Sequence, residues 1–424
     1  MRSYFLTLIY LYILALGFRA PYIIILGYIW VDIFTPQILA YSILPSLQVS
    51  MILGLLSFFF YFKLARDPEV KLRNVSILTI IFSIWITATL LWAVIPDAAY
   101  FRWDTAIKSL LISIILPSFF RTRIQLEALI WTVTLSGIAH CIATGLKVII
   151  SGSSYGSQIG LVQSNNGWGE SSSLAMYAIT LIPMCLFLLK NQSLFPYKKT
   201  GRYMLITFII LAFLTAIGTF ARTGMIAAAV LGIMLVLTTK NKFLYLLIGI
   251  VTLVLVFQLA DPAWMARMST TDSGTETSAM TRIGVWMWTL DYVKSHPFGG
   301  SFEINQIIRT TIELSDGTSL SIGGKAFHSI YFQTLGETGI PGFLLYISIA
   351  IFAWSNFKTV KKIGEKNNDP WLNSLGSYMV IVLAVFLAGG AFVGVAFQSY
   401  FYYLAAISAV MLNLAQRKNP VHAT

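Results

Sequence analysis

Charge is scarce in this chain. Of its 424 residues 11% are Asp, Glu, Lys or Arg, where an ordinary soluble domain carries about 25%. Cysteine is scarcer still. Cys141 and Cys185 are the only two, and both sit in apolar segments. A disulfide framework and a zinc site are therefore not indicated. No DxD or DDxxD pair occurs, although a divalent-metal diphosphate site usually draws on closely placed carboxylates. No Walker A, GxGxxG, HExxH or GxSxG pattern occurs either, so ATP-driven transport and ordinary hydrolase chemistry have no support. The N-terminus is apolar from Tyr4 and lacks a small-residue cleavage site, which reads as a retained anchor.

What is abundant is hydrophobic sequence, 57% of residues. Apolar runs lie at about 3–18, 21–35, 40–62, 75–95, 104–120, 124–150, 171–189, 203–219, 223–239, 243–260, 330–356, 375–393 and 396–415. Continuous runs of this length predict an all-α integral membrane protein rather than a β-barrel. Taken one by one, the runs are odd in number and cannot place both termini on the same side. The first two are short and divided by Pro21, so Arg2 to Phe34 reads as one span plus a re-entrant or tilted piece. The expectation is about twelve transmembrane helices in a single multi-span domain, residues 1–424, with both ends cytoplasmic.

The net charge of +12 would suggest nucleic acid in a soluble protein. Here the Lys and Arg residues cluster in short loops, as the positive-inside rule expects, and no nucleic-acid partner is implied. With residues 261–328 placed outside as one large periplasmic loop, most of the 29 basic residues fall inside. Arg102, Arg222, Arg267, Arg282, Lys294, Arg309 and Lys325 are among the outer minority. Within the loop, Ser269 to Thr277 reads as disordered. Ala279 to Lys294, with Trp286 and Trp288, reads as an amphipathic helix lying along the interface. His296-Pro297-Phe298-Gly299-Gly300 reads as a helix stop and turn.

Polar chemistry concentrates around this loop. His328 opens the helix that enters the membrane, where an imidazole can be neutral and accept a proton. A hydrogen-bonded interfacial histidine would look the same. Arg222, in Phe220-Ala221-Arg222-Thr223-Gly224, is a cation close to hydrocarbon. It is either a snorkelling side chain or an anion site for a ligand's phosphates. Arg282 opens the amphipathic segment with a planar fork suited to phosphate oxygens, while Arg267 reads as a headgroup or solvent contact. Glu337 follows His328 by nine residues, about 13 Å along an unbroken helix, too far to orient it directly. A break at Gly336, Gly339 or Pro341-Gly342 would change that.

The order of these pieces resembles the O-antigen ligase and polymerase superfamily. The resemblance rests on Thr281-Arg282 with Trp286, then the Pro-Phe-Gly-Gly turn. His328-Ser329-Ile330-Tyr331-Phe332 follows, running into Leu335-Gly336-Glu337-Thr338-Gly339-Ile340-Pro341-Gly342. Arg222-Thr223-Gly224 and the outer Asn165-Asn166-Gly167 add to it, over roughly residues 150–415. Ser329 departs from the asparagine common there. The resemblance implies a glycosyltransferase in the bacterial inner membrane with its site facing the periplasm. It would move a glycan from a polyprenyl-diphosphate carrier to an acceptor hydroxyl, lipid A–core oligosaccharide in the ligase branch, without metal, nucleotide or other cofactor. Growing polysaccharide or protein hydroxyls serve relatives. His328 would activate the acceptor, Arg222 and Arg282 would hold the diphosphate, and Glu337, Tyr331, Asn165 and Arg102 would be supporting residues. A lipid-linked sugar transporter is the competing class. It should carry charge near the bilayer midplane, whereas Lys108, Glu127 and Lys147 lie nearer segment ends.

Overall fold

A computed structural model describes residues 2–41, 43–65, 67–151, 168–238, 242, 273–314 and 317–417. Helices dominate them. α1 (Arg2–Arg19) and α2 (Tyr22–Phe34) are separate helices hinged at Pro21, whose missing N–H cannot continue α1. After α3 (Pro36–Leu39), the expected 40–62 run is broken into α4 (Ile43–Ser46) and α5 (Val49–Lys63). Then come α6 (Asn74–Ala88), α7 (Pro96–Ile115), α8 (Arg123–Ser151), α9 (Ser171–Asn191), α10 (Lys198–Gly218) and α11 (Arg222–Thr238). The run at 243–260 lies outside the described residues. After it come α12 (Ser273–Ser295), strands β1 (Arg309–Glu313) and β2 (Ser319–Gly323), α13 (Ile330–Lys366), α14 (Pro370–Gly390) and α15 (Ser399–Ala415).

Among the described residues, six helical stretches are long and apolar enough to cross a membrane: Asn74–Trp92, Arg123–Ile150, Ser171–Asn191, Lys198–Gly218, Ile330–Lys366 and Pro370–Gly390. α2, α5, α11 and α15 are shorter apolar helices. α13 has 37 residues, so it is about 55 Å long and exceeds a hydrocarbon core of about 30 Å.

α9 and α15 form the centre. From Ser399 to Asn413 every residue of α15 is buried, and α9 is buried continuously from Ser173 to Cys185. A helix apolar all round is stable only where other helices cover it. At the head of α9, Trp168 stacks on Tyr177 at 4.4 Å and on His140 at 5.2 Å, and Tyr177 meets Tyr400 edge-on at 5.0 Å. The Thr180 and Tyr400 hydroxyls bond at 2.9 Å. This stack fixes where α9 begins, and hence where Glu170 stands.

At the other end of the bundle, Asp67 is bound by Arg417 and faces Arg121 at 3.8 Å. Arg123 pairs with Asp369, which also caps α14 by accepting from the Leu372 N–H at 3.2 Å, with Pro370 in the first turn.

One element departs from the all-α expectation. β1 and β2 form an antiparallel hairpin, Arg309 opposite Gly323 and Glu313 opposite Ser319. Ile312, Leu320 and Ile322 point one way, and with Val285, Ile304, Ile308 and Phe327 they build a small second core against α12. One side of α12 is therefore covered by protein, while Ile283, Met287 and Leu290 form an exposed apolar stripe on another side. Asp316-Gly317 between alternating residues is the hairpin signal in the sequence, and Gly317 has the positive φ of +80° that such a turn uses.

Candidate active site

Two motifs far apart in sequence close on each other. α13 breaks at Gly339, where φ is +67° and ψ is −170°. Pro341 has no N–H, so the Glu337 carbonyl loses its helical partner. The Pro-Phe-Gly-Gly turn supplies the replacements. Gly300 N–H donates to the Gly336 carbonyl at 3.1 Å and Ser301 N–H to the Glu337 carbonyl at 2.9 Å. In return Ile340 N–H donates to the Pro297 carbonyl at 2.9 Å. The two chains are so close that a Cβ on Gly299 (φ +76°) would lie 2.5 Å from the Gly339 nitrogen. Trp85 Nε1 donates to the Thr338 carbonyl at 2.8 Å, closing the gap from α6.

This dock sets the loop that carries Glu303 and the helix that carries Glu337. Glu303 N–H donates to Glu337 Oε1 at 3.2 Å, and Arg102 pairs with Glu303 at 2.6 Å. Glu337 is buried, and its second oxygen, Oε2, has no hydrogen-bond partner among the described residues.

His328 stands just before the N-cap Ser329 rather than in α13 itself, with φ +48°. A left-handed non-glycine costs about 1 kcal/mol and persists where its surroundings impose it. Here Trp286 imposes it: its Nε1 donates to the Phe327 carbonyl at 2.8 Å, and its ring stacks on Phe332 at 4.9 Å. Arg282 lies four residues before Trp286, on the same face of α12. Phe220, Ser301 and Glu303 also hold positive φ, so backbone strain gathers around this region.

The sequence-predicted cations and imidazole come together. Arg282 is half-buried; burial lowers its pKa, Arg222 lowers it further, and Glu170 opposes both. Burial is the main force pushing the His328 pKa below its ordinary value, with Arg282 and Lys325 adding to it and Glu170 resisting. These side chains are therefore near enough to act on one another, although they come from the head of α9, the head of α11, the middle of α12 and the entry to α13. Glu170, which the sequence shows only as one outward acid among several, is the residue that composition and spacing did not single out.

A cavity of about 300 Å³ opens beside this cluster. Glu170 belongs to its wall, as do Arg102, Glu303, Glu337, Gln333 and Gln398, with Phe302, Phe327 and Phe397 as apolar walls. A Cβ on Gly394, also in the wall, would lie 3.6 Å from the His328 nitrogen, so the histidine backbone borders the cavity.

The other expected residues divide. Arg102 reaches the cavity, but paired with Glu303. Tyr331 donates its hydroxyl to the Leu387 carbonyl at 2.9 Å and braces α13 on α14. The break in α13 comes after Glu337, whose carboxyl lies in the cavity wall bound to the Glu303 N–H. Asn165 and Arg267 lie outside the described residues.

Family models match two stretches of the chain. Residues 1–193 match a family of unknown function (DUF5935), and residues 207–347 match the O-antigen ligase family. No curated protein matches the chain. The second match, over about a third of the chain, includes Arg222, Arg282, His328 and Glu337, so this stretch is similar to the O-antigen ligase family.

Proposed function

We propose that this chain is a glycosyltransferase of the ligase kind, moving a glycan from a polyprenyl-diphosphate carrier to an acceptor hydroxyl at the periplasmic face of the bacterial inner membrane. Lipid A–core oligosaccharide is the acceptor class that the ligase branch implies. The observation that carries this reading is the meeting of Arg222, Arg282, Glu170 and His328 at one end of the bundle.

The chemistry follows from those groups. The acceptor O–H gives its proton to the neutral His328 imidazole as the oxygen attacks the anomeric carbon. The bond from that carbon to the phosphate oxygen breaks, and the diphosphate leaves on its carrier. Charge then builds on the leaving oxygen, where Arg222 and Arg282 would stabilise it as fixed guanidinium groups. A base whose pKa is held low remains deprotonated at neutral pH and is worth about 10²–10⁴-fold. In-line attack inverts the anomeric configuration. The lipid tail of the carrier requires a site open at the bilayer surface, and the cluster lies where α9, α11 and α13 begin.

The test is reconstitution of the full chain with a polyprenyl-diphosphate glycan and a panel of acceptors: lipid A–core, free glycan and a peptide. Wild type should transfer to one of them. His328→Ala should stay folded and membrane-inserted yet transfer nothing; undiminished transfer by that variant would remove the imidazole from the mechanism.

A further inference from the structure

We propose that the cavity beside the cluster is a pyranose-binding subsite for the acceptor glycan, with the Glu337 carboxyl as its buried hydroxyl ligand. Three independent features point to a sugar ring.

The first is the orphan oxygen. Glu337 is only 3% exposed, its Oε1 accepts from the Glu303 N–H at 3.2 Å, the Gln333 side chain is a second polar neighbour, and its Oε2 has no partner within hydrogen-bond distance among the described residues. A buried acceptor left bare costs about 1–3 kcal/mol, and such groups call for an explanation. A hydroxyl entering the cavity would satisfy it.

The second is charge. Two carboxylates, Glu170 and Glu303, and the buried Glu337 carboxyl face the cavity against one guanidinium, Arg102, which is already paired with Glu303. Such a lining repels phosphate and suits a ligand rich in O–H donors. Arg222 and Arg282 do not line the cavity. The diphosphate and the ring in the cavity therefore belong to separate places that meet at Glu170, which takes part in both.

The third is shape. About 300 Å³ is at the small end of ligand sites, roughly 300–1,000 Å³, with room for one ring rather than a chain. Phe302 and Phe397, packed edge-on at 4.7 Å, give an apolar wall to the cavity that the carboxyls also line. A pyranose likewise has a C–H face and a rim of hydroxyls. The donor's first sugar is tied to diphosphate, which the carboxylates disfavour, so the ring is assigned to the acceptor. This assignment rests on the transferase reading above.

The experiment uses the purified full-length protein in lipid nanodiscs, with Glu337→Gln inside the cavity and two rim variants, Thr105→Trp and Ala326→Trp. Thr105 and Ala326 are exposed wall residues, so bulk there narrows the mouth without disturbing packing. Two quantities are read. One is KM for acceptor and for donor separately. The other is Kd for acceptor glycan in a His328→Ala background, where nothing turns over. The variants should raise acceptor KM and Kd by about tenfold, the equivalent of one lost hydrogen bond, and leave donor KM unchanged. A shift in donor KM instead would put the donor's ring in the cavity and overturn the assignment. Unchanged constants in all three variants would overturn the subsite while leaving the transferase reading intact. Glycan binding that Thr105→Trp abolishes, in a wild type that transfers nothing, would uphold the subsite and refute the transferase.

Discussion

Gly299→Ala tests whether the dock between the Pro-Phe-Gly-Gly turn and the broken helix holds the site together. The added Cβ would lie 2.5 Å from the Gly339 nitrogen and 2.7 Å from the Glu337 oxygen. Both are backbone atoms and cannot rotate aside, so the turn must lift. Lifting it breaks the hydrogen bonds from Gly300 to Gly336, Ser301 to Glu337 and Ile340 to Pro297. At about 1 kcal/mol each, plus about 1 kcal/mol for a Cβ at positive φ, the cost is about 3–5 kcal/mol. Gly339→Ala meets the same surface from the other side, 2.5 Å from the Gly299 nitrogen. Each change destroys one shared contact, so the double variant should cost little more than either single one. Gly232→Ala is the control: a Cβ there meets nothing within 4 Å, and in a helix it should be neutral or stabilising by up to about 1 kcal/mol. Unfolding midpoints in detergent, with glycan transfer measured in parallel, decide the matter. A Gly299→Ala midpoint equal to wild type, or strict additivity with Gly339→Ala, would refute the account of the dock.

Arg222→Ala and Arg282→Ala should each lower kcat/KM for the diphosphate donor by about 3 kcal/mol of transition-state stabilisation, roughly 10²-fold; a loss confined to acceptor kinetics would contradict their role. Trp286→Phe keeps the stack on Phe332 but loses the 2.8 Å bond to the Phe327 carbonyl, so kcat should fall by about tenfold with the midpoint nearly unchanged. The pH profile has a defined sign. Since burial and Arg282 hold the His328 pKa below 6.5, the acid limb of the rate should have its midpoint below pH 6.5. Glu170→Gln removes a force that raises this pKa and should move the acid limb to lower pH; a shift upward would exclude the coupling. The same group affects stability. Below about pH 6.5 the unfolded chain takes up protons that the folded His328 refuses, so stability present above that value is lost as pH falls through the folded pKa. Transfer should also survive EDTA, and a strict Mg²⁺ requirement would overturn the diphosphate role given to the arginines.

Much of this molecule was legible without coordinates, because hydrophobic run length and side-chain chemistry are local quantities. Runs of apolar residues imply helices, since backbone groups in hydrocarbon must bond within their own segment. Arg222, Arg282 and His328 stood out because polar side chains beside apolar runs are costly and therefore few. Other features depended on what distant segments do to each other. The hairpin carried its Asp-Gly signal, but its apolar face had meaning only once α12 was there to cover it. Glu170 was one acid among many until the aromatic stack at Trp168 set the head of α9 beside α12. Tyr331 kept company with His328 in sequence, yet helical rotation sent its hydroxyl to Leu387. Glu337 looked too far along an unbroken helix to orient the imidazole, and the dock on Gly339 sets it in the cavity that the His328 backbone borders. Composition and periodicity alone determined that this is a helical membrane protein, and they singled out Arg222, Arg282 and His328 as costly polar side chains beside apolar runs. Which carboxylates join them, and where a ligand would fit, was decided by tertiary packing, because burial, pairing and cavity shape arise only between segments that the chain separates by many residues.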